Sequence, residues 1–396
     1  MADQATRTVM AALEAAGGEG CARFVGGCVR NAVLGRPIDD IDIATPLEPP
    51  AVIRALAQAG LKSVPTGIEH GTVTAIACGK PFEVTTLRRD VATDGRRAVV
   101  AFTTDWAEDA QRRDFRLNAL YMDAQGGLYD PVGQGLADAR AGRIVFVGDA
   151  AQRIREDYLR ILRFFRFLAW YGRGEPDAEG LAACAALKAG LDQLSAERVS
   201  KELLKLLAAD DPRPALTLMD QAGVLTAILP GHVGLERVCN LIAIERDAGE
   251  APDPELRLAA LLPSDSAVAI READRLRLSK VQRDRLAAAV APQGVFGEQD
   301  GRGLVYRLGA RAVSDRQRLL WAAEGSRVSA QAWAALNGLV TFDPPKFPIA
   351  GHEAAQAGFK PGKAMGAALR EVEDWWIAQD FQPTREQLIA RLKALR

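Results

Sequence analysis

The sequence predicts an α+β chain: a small mixed sheet with short helices over roughly the first 140 residues, then helices alone. Three observations predict it. Short β-branched or aromatic runs lie between glycine and proline turn signals as far as Thr103. From Ala151 the apolar residues recur at helical spacing instead. No apolar run approaches the length of a membrane span.

Residues 5–17 form an amphipathic pattern that leads into RFVGGCVRNAVLGRPIDDIDIAT. Phe24 and Val25 end a buried strand, Gly26 and Gly27 break it, and Cys28 to Leu34 can begin a helix that Gly35 and Pro37 stop. A strand, a glycine turn and a helix N-terminus together present unpaired N–H groups that suit a phosphate, with Arg30 and Arg36 adding positive charge. Ile38 to Ile43 then alternates apolar and acidic residues, the pattern of a strand. On such a strand Asp40 and Asp42 share one face, Asp39 falls on the other side, and Ile41 and Ile43 enter the core. Two carboxylates on one face repel unless a cation sits between them, and Mg2+ with oxygen ligands is the natural candidate.

Gly71–Ala77, Pro81–Thr86 and Ala98–Thr103 have strand character. The polar stretch RRDVATDGRRAVV reads as a loop. Glu83 either brings a third carboxylate toward the first two or forms a strand-edge ion pair with Arg88 or Arg89. In QRRDFRLNALYMD, Arg112 and Arg113 can meet a triphosphate or a ribose, braced by Asp114 or by Asn118 one helical turn further on. A solvated helix start explains Arg112 and Asp114 equally well. A turn-rich connection follows, which Asp130 and Asp138 can order.

The run AQRIREDYLRILRFFRFLAWYG offers Ile154, Leu159, Leu162, Phe165 and Leu168 to one buried side. Asp157 and Arg160 stand i,i+3 and can project together. Cytosine and adenine both show an amino donor beside a ring-nitrogen acceptor, which a carboxylate and a guanidinium complement, whereas uracil and guanine mismatch them. A surface ion pair is the alternative. Ser195 can cap the next helix, further helices run through 212–228, and Pro230-Gly231 ends the block. Helices are expected over 235–323, with breaks at Pro263-Ser264-Asp265 and Gly294–Gly303. Residues 271–285 hold six basic and three acidic residues, which suit an RNA backbone or simply a solvated helix. Gly362, Lys363 and Gly366 open a last long helix, where Trp375-Trp376 either stacks on nucleotides or packs inward.

With Lys plus Arg at 50 against Asp plus Glu at 51, the chain is not coated in phosphate-binding charge, although a local basic groove remains open to it. Five cysteines without C-x-x-C spacing and three histidines suggest neither a zinc site nor a disulfide framework. No basic n-region precedes an apolar core at the start, so the cytoplasm is the expected compartment, with no membrane partner. No feature calls for an obligate protein partner.

The order of these motifs resembles the class II tRNA nucleotidyltransferase and bacterial poly(A) polymerase family. GGCVRNAVLG with DDID is similar to its nucleotidyltransferase signature, and EVTTLRRDVATDGRRA to the following strand and flexible loop. QRRDFRLNALY resembles its ribose and triphosphate motif, REDYLRILRFFRF its nucleotide-selecting helix, and LSAERVSKELLKLL the brace after it. The resemblance implies a nucleotidyltransferase head over 1–140, a helical neck over 141–230, a body over 231–335 and a tail over 336–396. It also implies that Asp40 and Asp42 hold Mg2+ as catalytic carboxylates, with Glu83 a candidate third acid. Gly26, Gly27 and Arg30 would lie by the phosphates, Arg113, Asp114 and Asn118 would shape the ribose and phosphate pocket, and Asp157 with Arg160 would read the base. The substrates would be CTP, ATP and the acceptor arm and 3' end of tRNA, with CCA added without a nucleic-acid template. Poly(A) synthesis, CC-only or A-only addition, and a non-catalytic tRNA-binding protein are the alternatives. Two residues depart from the family pattern: Asn31 stands where Asp is usual, and Arg116 where Thr is usual.

Overall fold

Val73, Ala75 and Ala77 are buried while Thr72, Thr74 and Ile76 are half-buried, and Phe82, Val84 and Thr86 are the buried set of the next strand. That period of two gives each strand a core face and a freer face. The computed structural model describes residues 3–94, 97–291, 301–325 and 327–396. Its strands are β1 (Arg23–Val25), β2 (Asp42–Thr45), β3 (Lys62–Gly67), β4 (Thr72–Ala77), β5 (Lys80–Thr86), β6 (Arg88–Asp94), β7 (Arg97–Phe102), β8 (Tyr121–Met122) and β9 (Leu128–Tyr129).

Seven of these strands form one sheet in the order β3-β4-β5-β2-β1-β8-β9. β2 and β5 run parallel, and the other pairings are antiparallel, so the sheet is mixed as expected. Between β4 and β5 the chain reverses through Cys78 and Gly79, both at positive φ (50° and 76°), the conformation a two-residue hairpin turn needs. The core face of β4 and β5 is covered by the helices Gln4–Gly17, whose Val9 and Leu13 are fully buried, and Pro49–Gln58, which buries Val52 and Leu56.

Two expectations need correction here. Of the segment expected as a loop, 88–94 and 97–100 are strand, 95 and 96 lying outside the described residues: β6 and β7 pair as an antiparallel ribbon from Arg88↔Phe102 to Asp94↔Arg97, with a register shift between Asp90 and Ala92. That shift breaks the alternation by which a strand is recognised. The connection after β9 also contains a helix, Gly135–Ala141. Asp130 orders its start by accepting from the N–H groups of Gly133 (3.1 Å) and Leu136 (3.0 Å), and Asp138 pairs with Arg143 (2.8 Å).

The chain divides into two compact units, Met1–Pro230 and Gly231–Arg396. In the first, Phe115 and Phe146 form an antiparallel bridge, their rings tilted by 46° with centroids 4.8 Å apart. Phe164 and Phe167 of the helix Leu159–Tyr171 pack onto them, extending the core of the sheet into the helices. Ser195 stands at the N-cap of the helix Ala196–Leu207, but its side chain makes no capping bond. In the second unit the buried Glu245 accepts from Arg257 (2.7 Å) and Arg318 (3.0 Å). Trp376 packs into an aromatic cluster with Tyr306, Phe347 and Phe381, while Trp375 lies half-buried beside it. Several charges between 271 and 285 are engaged internally: Arg285 alone meets Asp253, Glu255 and Asp315. The expected break at 294–303 lies mostly outside the described residues. No helix among the described residues is long and apolar enough to cross a membrane.

Gly190 sits against Tyr158, where an added Cβ would fall 2.0 Å from the ring. Gly190→Ala should therefore cost about 2 kcal/mol in urea unfolding, in line with other overpacked interiors. An unchanged midpoint would show that Tyr158 yields freely.

Candidate active site

In the parallel ladder Ile43 pairs with Val84, both fully buried, so their neighbours Asp42 and Glu83, paired in the same register, share the opposite face. Asp42 is half-buried. Burial pushes its carboxyl up, the charges of Glu83 and Asp40 push the same way, and the Arg113 guanidinium opposes them. Asp42 at the start of β2 thus feels two acids, Glu83 and Asp40, and one arginine, Arg113. Asp40 arrives there differently from the expected manner. The strand begins at Asp42, not at Ile38, and Asp40 lies exposed in the irregular segment before it. On the β1 side no partner remains there, since β1 pairs with β2 only through Arg23↔Ala44 and Phe24↔Ile43 and ends at Val25; on the other side the β5 ladder starts only at Asp42↔Glu83.

Gly26 adopts φ 71° and donates its N–H to the Leu120 carbonyl (3.1 Å), a conformation that suits glycine. Arg113 lies directly over it: a Cβ on Gly26 would stand 3.5 Å from Arg113 Nη1. The helix Gly27–Val33 follows, its first turn without a side-chain cap. Cys28 packs its thiol against the carbonyls of Val25 (3.3 Å) and Asp42 (3.7 Å), and burial pushes that thiol up.

Arg30 is placed otherwise than a phosphate-binding arginine would be. It is 7% exposed. Its Nη1 donates to Asn118 Oδ1 (2.6 Å), its Nη2 to Tyr171 Oη (2.7 Å) and Asn31 Oδ1 (2.9 Å), and its Nε again to Asn31 Oδ1 (3.2 Å). The Tyr171 ring lies 4.1 Å beneath the guanidinium. One Nη1 proton remains, so Arg30 cannot present a fork to a phosphate while these bonds stand. Arg36 is likewise engaged, by the Trp170 carbonyl (2.7 Å).

The residue that sequence reasoning missed is Asp109. It is 1% exposed and accepts from Arg112 (2.7 and 2.9 Å), Arg113 (2.9 and 3.3 Å), Tyr121 Oη (2.6 Å) and the Arg88 backbone N–H (3.2 Å). Burial pushes its carboxyl up, but the Arg113 and Arg112 guanidiniums outweigh that and bring it down to about 2. Its one signal in the sequence is spacing: it lies i,i+3 from Arg112 and i,i+4 from Arg113. Arg112 is therefore an inward-facing residue, not part of a solvated helix start. Asp114 is buried too. It accepts from Asn118 Nδ2 (3.1 Å) and the Phe115 N–H (2.8 Å), and pairs with Arg163 of the helix Leu159–Tyr171. A continuous line of bonds thus runs Arg30–Asn118–Asp114–Arg163.

Asp157 and Arg160 do not share one helix. The helix Ala150–Glu156 ends at Asp157, whose backbone is extended (φ −157°, ψ 106°), and a new helix begins at Leu159. Asp157 Oδ1 accepts from the Leu159 N–H (3.1 Å) and Oδ2 from Arg198 (2.7 Å). Arg160 donates to the carbonyls of Arg153 (2.7 Å) and Arg112 (3.3 Å) and to Glu156 (2.6 Å). These bonds leave Arg160 its Nε and one Nη2 proton, and each Asp157 oxygen a lone pair. Arg116 turns elsewhere, to Gln134 Oε1 (2.8 Å) and toward Asp138 (3.8 Å), beside a cleft of about 460 Å3 that Gln152 and Arg153 also line.

The first unit thus carries acids on adjacent parallel strands beside a glycine turn, with a helical extension after the sheet. Residues 22–145 match the model of the poly A polymerase head domain, and 175–235 that of a probable RNA and SrmB-binding site of polymerase A. The mitochondrial CCA tRNA nucleotidyltransferase 1 of Mus musculus is 33% identical over 391 residues, covering 94% of this chain and 86% of the mouse protein. The CCA-adding enzyme of Limosilactobacillus fermentum is 33% identical over 401 residues, covering 98% and 97%. The crystal structure of the Bacillus stearothermophilus CCA-adding enzyme in complex with CTP superposes with a TM-score of 0.82 at 27% identity, covering 99% of this chain and 96% of that one. The chain belongs to the class II CCA-adding enzyme and poly(A) polymerase family.

Asp109→Asn should lower stability by about 3 kcal/mol at neutral pH, because it removes the charge that balances two inward-facing arginines. A carboxyl held near 2 when folded and about 3.9 when unfolded contributes stability that is complete above about pH 4 and lost as pH falls through 2. The gap between wild type and Asp109→Asn in urea unfolding should therefore close over that window. A gap independent of pH would remove the charge from the explanation.

Proposed function

We infer that this chain is a CCA-adding enzyme, which adds C, C and A to the 3' end of tRNA from CTP and ATP, releasing pyrophosphate and using no nucleic-acid template. The observation that carries this reading is the pair Asp42–Glu83, set in register beside the Gly26 turn, in a chain one-third identical to CCA-adding proteins over nearly its whole length.

Asp40 and Asp42 are the proposed Mg2+ ligands and catalytic carboxylates, with Glu83 as a third acid. The residues fit that ion. Asp42 and Glu83 stand side by side; burial first, and then repulsion from Glu83, raises the Asp42 carboxyl, and a bound cation relieves both. Among the described residues no group of three or more His, Cys, Asp or Glu side chains is gathered closely enough to hold a metal ion by itself. Mg2+ suits such an open site, since it commonly takes one or two carboxylates and completes its shell with water and substrate phosphates. When bound it would neutralise charge on the nucleotide and favour attack by the primer 3'-hydroxyl on the α-phosphate.

The rest falls to the protein. Arg113, lying over Gly26 and tied to Asp109, is the cation placed for the phosphates; Gly26 and Gly27 let them approach the backbone. Asp114 and Asn118 hold the 3-10 turn at Arg116–Asn118 that borders the ribose and phosphate pocket. Arg30 supports that turn from beneath through Asn118. Asp157 and Arg160 read the base with the atoms their internal bonds leave over, a carboxylate accepting and a guanidinium donating. Positioning and charge supply most of the catalysis in this scheme. The division into head 1–140, neck 141–230, body 231–335 and tail 336–396 is part of the same proposal, as is action in the cytoplasm; the separation of two compact units after Pro230 supports the middle boundary.

Incubation with CTP and ATP of tRNA transcripts ending before CCA, after C and after CC should complete all three. Failure to extend the first transcript with CTP would sink full CCA addition in favour of A-only or poly(A) synthesis. Asp42→Ala should abolish extension while tRNA binding persists, and unchanged activity would refute the metal-site assignment. Asp157→Ala should weaken discrimination against UTP and GTP by about tenfold or more, as loss of a buried hydrogen-bonding partner does. Undisturbed selectivity would remove Asp157 from the reader role.

A further inference from the structure

Between the end of the helix Gly27–Val33 and the start of β2 the chain runs through residues 34–41 without ladder bonds of its own, and Asp40 sits exposed within it. One end of this segment is fixed by β2. At the other, Arg36 donates its side chain to the Trp170 carbonyl (2.7 Å), and Asn31 binds both Arg36 and Pro37, the last point of attachment before Asp40. Asn31 accepts the Arg36 N–H at its backbone carbonyl (2.9 Å) and donates its side-chain Nδ2 to the Pro37 carbonyl (2.8 Å). Its Oδ1 meanwhile accepts from Arg30 Nη2 (2.9 Å), Arg30 Nε (3.2 Å) and Tyr171 Oη (3.3 Å). Only one orientation of the amide satisfies all of these: reversed, its N–H2 would face the Arg30 donors and its oxygen the Pro37 carbonyl.

We propose that Asn31 is a positioning residue for the metal site: its amide pins Pro37, and thereby Asp40, to the buried Arg30–Tyr171 cluster. An Asp at this position, the usual residue of the family pattern, would satisfy Arg30 equally well or better. It could only accept, so the bond to the Pro37 carbonyl would become a contact between two acceptors. Asn is the side chain that serves both neighbours, which gives this departure from the pattern a physical content. The pin acts on Asp40 alone, because Asp42 is held by the ladder to β5. The inference rests on the reading of Asp40 and Asp42 as ligands of a divalent cation.

The test separates the two. Mn2+ binding is followed by the electron paramagnetic resonance signal of the free ion in wild type, Asn31→Asp, Asn31→Ala and Asp42→Ala. CTP binding without metal is measured by calorimetry, and amide exchange is followed over residues 34–41. Asn31→Asp and Asn31→Ala should both weaken Mn2+ binding by about three- to tenfold, the effect of one lost hydrogen bond. Exchange over 34–41 should quicken in both, and metal-free CTP binding should stay within about twofold, since a single local bond is released. Asn31→Asp keeps the Arg30 and Tyr171 contacts but adds a negative charge, and Asn31→Ala adds none, so a loss common to both reports the bond to Pro37. If either binds Mn2+ as wild type does while Asp42→Ala loses the ion, the pin is overturned and the metal site stands. If Asp42→Ala retains the ion, both fall. An equal loss of CTP and Mn2+ binding in Asn31→Asp also overturns the pin, since general loosening would explain it.

Discussion

The parallel pairing of β2 with β5 is the constraint on which the first unit depends. Parallel neighbours cannot be joined by a tight turn. The chain must leave β2, cross the sheet and return, and it does so through the helix Pro49–Gln58 and the strands β3 and β4. That crossover supplies half the cover of the core face through Val52 and Leu56. The same pairing puts Ile43 and Val84 inward, so Asp42 and Glu83 are forced onto the opposite face at the same height. Two carboxylates at this spacing cost free energy, and the neighbouring Arg113 offsets only part of it. The chemistry of the site is thus a consequence of strand register rather than of a separate loop.

Around that ladder the arginines are largely held by partners within the protein. Asp109 holds Arg112 and Arg113, Asp114 holds Arg163, and Glu202 holds Arg166 at 2.5 Å. A guanidinium kept by a buried carboxylate is fixed in direction before any substrate arrives, which lowers the ordering cost when an anion binds. The arrangement also explains how a chain with nearly equal numbers of acidic and basic residues can serve polyanionic substrates: much of its negative charge is spent aiming its positive charge.

Local pattern made the sheet strands β4 and β5, the glycine turn and the helix Gly27–Val33 readable in the sequence, because each rests on the alternation, turn chemistry or spacing of its own residues. What was not readable depends on partners distant in the chain. Asp40 falls outside β2 because β1 ends at Val25 and the β5 ladder starts at Asp42↔Glu83, facts of pairing that the alternating run Ile38–Ile43 does not contain. The break at Asp157 is hidden because Ile154, Leu159 and Leu162 are all buried on either side of it, so the apolar stripe looks continuous. The burial of Asp109 and Arg30 depends on Tyr121 and Tyr171, respectively 12 and 141 positions away. The helix Pro49–Gln58 passed unread even though prolines in the first turn are a start signal.

The helix Leu159–Tyr171 touches the sheet-bearing part of its unit at three heights. Arg160 in its first turn grips the Arg112 carbonyl, Arg163 grips Asp114, and Tyr171 at its end cradles Arg30. Thirteen residues make a rod about 20 Å long that does not stretch. It therefore works as a ruler laid along the strand–turn segments: the distance between its two ends is set by helical rise, not by side-chain adjustment. Any tilt of the rod must shift the Arg116–Asn118 turn and the Gly27–Val33 helix together, so these two pieces have one degree of freedom where a looser scaffold would have two.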